Sequence, residues 1–338
     1  MINYSTLLRS WVVGLIVFLF PSCLCAQSVD DTFTASGLSC KVLSVDVATK
    51  SGQVEITGSV SEVGDKLEIP ATLKQTCIDG EWTFDVTAIG ASAFAECKAL
   101  KTVKFPAQDE TSLSVIGPLA FHHCTSLNSI NLEDTKIEVL EPLFTKDDTD
   151  EAYFDDLTQV KLPETLKEIK SNALQFLGIT SVTIPASVTA IGEGILEGNI
   201  FLEEFYWKGA QVTSLPLNTF LGDDALKIVY FLTVDDIDPN GLTDRHFERY
   251  GQDKATVYVT PSSYEVLTAN GYNNEESIFS ILVADTEWTS IERVEQDAAS
   301  EKSINEASHA IFTLQGVRVS HPAQGHLYIS GGRKYIYK

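Results

Sequence analysis

Internal repetition constrains this chain more than any other feature. The stretch from Val86 to Pro106, VTAIGASAFAECKALKTVKFP, is followed from Ser114 to Leu132 by SVIGPLAFHHCTSLNSINL, with Ile-Gly, Ala-Phe, Cys, Leu and an alternating apolar run in one order. Self-similarity at a near-constant period marks a stacked-repeat architecture. Aligned on the Ile position, six copies start at Ile89, Ile116, Leu140, Ile169, Ile191 and Leu215, at spacings of 27, 24, 29, 22 and 24 residues. The Phe position holds Phe94, Phe121, Phe144, Leu174, Leu196 and Phe220. Each unit closes on a strand-like run: LKTVKFP, LNSINL, LTQVKLP, ITSVTIP, LEEFYW or LKIVYF.

Each unit reads as a strand plus a short helical or turned return, with too little apolar surface for a core of its own, so stacking must supply the core. Strand alternation sends Leu100, Val103 and Phe105 inward and Thr102 and Lys104 outward, and the same split holds in every copy. The spacings sit in or near the leucine-rich-repeat range of about 20–29 residues. The expected fold is a leucine-rich-repeat solenoid, repeat α/β or mainly β, with a curved parallel sheet over residues 86–254.

The pattern VTxIGxxAFxxCxxLxxVxFP resembles the leucine-rich repeat of BspA-type bacterial surface proteins. Val86, Ile89, Gly90, Ala93, Phe94, Cys97, Leu100, Val103, Phe105 and Pro106 carry the resemblance, as do Ile116, Gly117, Ala120, Phe121, Cys124, Leu127, Ile130 and Leu132. Later copies depart from it. Leu177, Asn199 and Asp223 stand at the Cys position, Lys170 and Pro216 at the Gly position, and the third copy is one residue short before Phe144. The resemblance implies a non-catalytic surface protein with adhesion-type roles, host extracellular-matrix proteins being among the partners of relatives.

Residues 1–26 read as a secretory signal, with Arg9, an apolar run from Trp11 to Phe20 and small residues before Gln27. Cleavage is placed after Ala26, and a lipid anchor on Cys23 is the alternative. Residues 27–85 contain the strand-like runs KVLSVDV, QVEITGSV and KLEIP, separated by turn formers at Ser51-Gly52 and Asp79-Gly80, and read as an N-terminal β cap. Residues 255–284 read as a strand, then a helix starting near Ser262 or Ser263 and stopping at Asn270-Gly271, closing the solenoid. Residues 285–308 read as a linker. Residues 309–338 read as a small β unit of hairpins; Leu314, Gly316, Val319, Gly325, Tyr328, Gly331 or Gly332, and Lys334 make it resemble a C-terminal domain that some exported proteins use as a secretion signal.

Charge and motifs narrow the function. Lys+Arg 24 against Asp+Glu 47 gives −23, which argues against binding nucleic acid through its phosphates. No G-x-S-x-G, H-E-x-x-H, P-loop or dinucleotide fingerprint occurs, so no catalytic residue and no cofactor is assigned. The His122-His123-Cys124 run lacks a second ligand pair at metal spacing. The acidic stretch Lys146 to Asp156 reads as a solvated charge patch rather than a calcium loop. Asp236 to Gly241 matches an EF-hand opening, but Phe247 stands where the bidentate Glu is required, so it reads as a turn. Cys97 and Cys124, each eight residues past its Ile, are expected as free thiols on the buried side, while Cys40 and Cys77 are left open.

The candidate binding residues are one per strand, on the outward face between two inward apolar positions: Lys104, Asn131, Lys161, Thr183, Tyr206 and Tyr230. Parallel stacking would set them in a single file about 4.8 Å apart on the concave face, with exposed paired tyrosines at its C-terminal end. The expected function is recognition of an extracellular protein or glycan by an exported, non-catalytic protein that is not integral to the membrane. The alternative is a polysaccharide hydrolase or a glycan-binding accessory protein.

Overall fold

The computed structural model describes residues 27–144, 154, 156–209, 211–231, 233–234, 237–242, 254–272 and 279–283, and the backbone of four strands between 311 and 336. The readings of residues 1–26 and 285–308 therefore fall outside the described residues.

The chain opens with β1 (Thr32–Ala35), β2 (Leu38–Asp46), β3 (Ser51–Ser59), β4 (Lys66–Glu68), β5 (Thr72–Cys77) and β6 (Gly80–Ile89). All but β4 join one sheet, in the order β1-β2-β3-β6-β5, antiparallel except for the β3–β6 pair. Asp79-Gly80 lies at the β5–β6 hairpin, as a turn former should. Ser51-Gly52 instead begins strand β3. A Cβ on Gly52 would lie 2.2 Å from Ser44 O, so glycine serves close strand approach there and not a turn.

From β6 the chain winds as a solenoid. The coils contribute strands of the main face and, in the second to fifth copies, a two-residue strand at the Ile position: β7 (Thr102–Lys104), β8 (Val115–Ile116), β9 (Ser129–Asn131), β10 (Val139–Leu140), β11 (Gln159–Lys161), β12 (Glu168–Ile169), β13 (Ser181–Ile184), β14 (Ala190–Ile191), β15 (Glu204–Trp207) and β16 (Ile228–Phe231). Parallel pairing sets Ile89 against Ile116, and Ile169 against Leu140 on one side and Ile191 on the other, so within each piece of the second ladder the repeat phase read from the sequence is the register. After β16 come β17 (Ala255–Val259), helix α1 (Pro261–Ala269) and β18 (Phe279–Val283). The Thr260 side chain accepts the Ser263 N–H at the start of α1, and Gly271 follows its end with φ +87°.

The return arms within the repeats are hydrogen-bonded turns and not helices. Left-handed residues recur three positions after the Ile position at Ser92, Leu119, Asn172, Gly194 and Asn218, and seven after it at Glu96, His123, Phe176, Gly198 and Gly222, with φ between 56° and 79°. A non-glycine residue costs about 1–2 kcal/mol in that region. Bonds to the next coil offset the cost: Ser92 N–H donates to Pro118 O at 3.1 Å, Leu119 to Pro142 O at 2.9 Å and Asn172 to Glu193 O at 3.0 Å. Side chains at the Phe position fill the space inside, with Phe94 and Phe121 rings 5.9 Å apart and Phe121 and Phe144 6.3 Å apart.

Residues Ala284–Lys338 form a separate unit. Its described part is β19 (Ile311–Phe312), β20 (Arg318–Val319), β21 (Leu327–Ser330) and β22 (Arg333–Ile336), an antiparallel sheet in the order β20-β19-β21-β22.

Candidate functional site: the open sheet face

Inward positions of the main face are buried throughout, from Val103 and Ile130 to Phe205, Val229 and Val257. The residues between them lie on the opposite side, as strand alternation demands. They form two files and not one. The sheet β11-β9-β7-β4 aligns Glu68 with Lys104 and Asn131 with Lys161, while the sheet β13-β15-β16-β17-β18 aligns Thr183, Tyr206, Tyr230, Tyr258 and Leu282. The interruption falls between β11 and β13, and not at the longest spacing in the array, since the 29 residues from Leu140 to Ile169 include β11, which pairs with β9.

In the first file Asn131 and Lys161 are engaged locally. Asn131 caps a 3-10 turn at Leu132–Asp134: its Oδ1 accepts the Glu133 N–H at 3.1 Å and its Nδ2 donates to Asp134 Oδ2 at 3.1 Å. Lys161 Nζ lies 3.5 Å from Glu133 Oε2. Lys104 is exposed beside Glu68.

The second file is a tyrosine stack. Tyr206 and Tyr230 rings lie 4.7 Å apart at 13°, and Tyr230 and Tyr258 rings 5.2 Å apart at 15°. Strand spacing imposes this, because rings on adjacent parallel strands are held about 4.8 Å apart. Tyr230 is therefore only 7% exposed, which corrects its placement as an exposed anchor: a ring on each side covers both of its faces. Burial pushes its hydroxyl well above the usual tyrosine range, and Glu204 and Tyr258 add to the shift. The Tyr206 hydroxyl donates to Glu204 Oε2 at 2.7 Å. Sequence alone gives Tyr258 to the terminal cap, because VYV at Val257–Val259 lacks the Ile-Gly and Ala-Phe signature of the repeats. The outward Thr256/Tyr258 pair in fact repeats Ile228/Tyr230 in register.

The other candidates are placed as follows. Cys97 and Cys124 are free, Cys124 buried and Cys97 only half-buried. The Cys124 thiol donates to Phe94 O at 3.2 Å, and burial pushes it up to about 12. Cys40 is a free buried thiol, so it does not pair with Cys77. His122 and His123 stack 3.8 Å apart, and His123 Nδ1 pairs with Glu96 Oε1. Of the acidic stretch only Phe154 and Asp156 are described, so its reading falls outside the described residues. Asp238 accepts the Asn240 N–H of a 3-10 turn at Pro239–Gly241, while Asp236 lies outside the described residues. Among the described residues, no three His, Cys, Asp or Glu side chains gather as a metal site, and no helix is long and apolar enough to cross a membrane.

Parallel coils, a repeating Ile-position ladder and a main sheet face define a leucine-rich-repeat solenoid. Its repeats match the BspA type leucine rich repeat region in six copies, over residues 79–152 and 151–245. The repeat region of this chain belongs to that family. Similar solved structures include a leucine-rich repeat protein from Bacteroides capillosus (22% identity, 53% of this chain and 99% of that one, TM-score 0.29). Others are the T. pallidum leucine rich repeat protein (16%, 75% and 100%, TM-score 0.34) and a leucine rich cell surface protein from Faecalibacterium prausnitzii (14%, 78% and 98%, TM-score 0.35). No curated protein matches the chain.

Proposed function

We propose that this is an exported, cell-surface binding protein, non-catalytic, that engages an extracellular protein through the aromatic half of its main sheet face. The stack of Tyr206, Tyr230 and Tyr258 carries this reading. Tyrosines fixed on strands offer rigid contact area at small entropic cost and keep hydroxyls for hydrogen bonding. A protein fits better than a stacked sugar, because sugar stacking needs open ring faces and the rings of this stack cover one another. Thr183 flanks the stack, and Lys104, Asn131 and Lys161 on the neighbouring file orient the partner by charge and hydrogen bonding. In the same reading residues 1–26 direct export, residues 27–85 and 255–284 close the two ends of the array, and residues 309–338 form the terminal β unit. BspA-type repeats and the acidic balance of 24 basic against 47 acidic residues support a surface role for the chain.

Screening the mature chain against extracellular-protein and glycan arrays identifies the ligand. Tyr206→Ala with Tyr258→Ala is then expected to weaken binding at least tenfold with only a small fall in melting temperature. Unaltered affinity would move the site off this face.

A further inference from the structure

The second ladder runs in two pieces, β6-β8 and β10-β12-β14, and has no strand in the sixth copy. Where this ladder is paired, the residue after the Ile position donates its N–H to the Ile-position carbonyl one coil back: Gly117 to Ile89 at 2.8 Å, Lys170 to Leu140 at 3.0 Å and Gly192 to Ile169 at 2.8 Å; among the described residues Glu141 gives no such bond to Ile116, at the unpaired step from β8 to β10. In the sixth copy that residue is Pro216, which has no N–H to give. No backbone N–H among the described residues donates to Ile191 O or Thr189 O. The sixth-copy segment is tied instead to the chain that follows it, Thr213 O accepting the Asp238 N–H at 2.9 Å.

What opens between the fifth and sixth coils is a cleft of about 300 Å³, at the lower end of the range for ligand pockets. Its polar lining is Thr189, Gln211, Thr213 and Ser214, all exposed, together with the two carbonyls above; its apolar lining is Ile191, Val212 and Pro216. The Thr189 hydroxyl donates to Lys167 O at 3.4 Å, which leaves it as an acceptor toward the cleft. We infer that this cleft is a binding site for a neutral saccharide, separate from the tyrosine face. A sugar brings many O–H donors for the hydroxyl, amide and backbone acceptors, and a C–H face for the aliphatic lining. Among the described residues the lining contains no cation to hold an anionic group and no carboxylate to hold a metal ion. A peptide strand added to the edge is a poor fit, because β14 is two residues long and offers too few bonds for β-augmentation.

The test is saturation-transfer NMR on the purified full chain with maltose, cellobiose, lactose and N,N′-diacetylchitobiose as probes. At least one is expected to receive saturation, and Gln211→Ala with Thr213→Val should cut the signal at least fivefold at unchanged melting temperature. Pro216→Ala, which restores the missing N–H and lets the sixth copy pair with β14, should abolish the signal while keeping or raising the melting temperature. Tyr206→Ala with Tyr258→Ala should leave it unchanged. Silence from all four disaccharides, or equal signals from wild type and the Gln211/Thr213 variant, would overturn the inference, as would full binding by the Pro216 variant.

Discussion

The two halves of the main sheet face rest on the same inward pattern of apolar residues and differ in everything that faces away from the core. In the N-terminal half, β4, β7, β9 and β11 present charged and amide groups, of which Asn131 is satisfied by its turn and Lys161 by Glu133. In the C-terminal half, β15, β16 and β17 present rings that satisfy one another across coils. The turn side shows a parallel difference at the Cys position. Cys124 there gives a weak bond to Phe94 O, whereas buried Asn199 and Asp223 form a polar relay: Leu177 N–H donates to Asn199 Oδ1 at 2.7 Å and Asn199 N–H to Asp223 Oδ1 at 2.7 Å. One repeat scaffold thus carries outward side chains that add little stability in one half and nearly as much as a core residue in the other.

The sharpest way to break this comparison is to remove the central ring. Phe121→Ala, a core change beneath the N-terminal half, sets the scale at about 3–5 kcal/mol by lost burial and cavity formation. Tyr230→Ala is expected to fall near the lower end of that range despite its outward position, because both ring faces are covered. Urea titration compares the two, and a loss for Tyr230→Ala as small as that of a surface change would show that the stack adds nothing.

Asp223 sharpens the comparison on the turn side. The carboxyl is fully buried, its Oδ2 has no partner, and desolvation holds it well above the usual carboxylate range. A carboxyl raised on folding binds its proton more tightly in the native state. Its contribution is therefore whole below about pH 4, the unfolded value, and lost as pH rises through the native one. Asp223→Asn keeps an acceptor for the Asn199 N–H and removes the ionisation. Thermal melts should show variant and wild type alike near pH 3, with the variant increasingly more stable toward pH 8; parallel pH curves would contradict this.

The smallest effect belongs to the polar half. Lys161→Ala breaks an exposed ion pair with Glu133 and should cost less than about 0.5 kcal/mol, and less still at high salt. A cost comparable to that of Tyr230→Ala would erase the distinction between the halves.

Much of the fold was legible in the chain itself. The Ile positions, the inward residues Val103, Ile130, Val182 and Phe205, and the helix after Thr260 follow from periodicity and capping chemistry, which are local signals. The candidate site was legible in part: alternation placed Thr183, Tyr206 and Tyr230 outward in one register. Exposure was not legible, because alternation says which way Tyr230 points and is silent about the rings above and below it. The left-handed turns were also hidden, since Gly194, Gly198 and Gly222 advertise them while Leu119, His123 and Phe176 do not.

What the sequence by itself determined is the repeat and its phase, because burying one face of a strand requires apolar residues at every second position along the chain. What only the tertiary structure decided is what each coil finds on the next: the third tyrosine from Tyr258, the division of the face after Lys161, the polar relay from Asn199 to Asp223 and the gap opposite Pro216. These depend on partners some twenty residues or more away in sequence and about 4.8 Å away in space, a separation that no local pattern encodes.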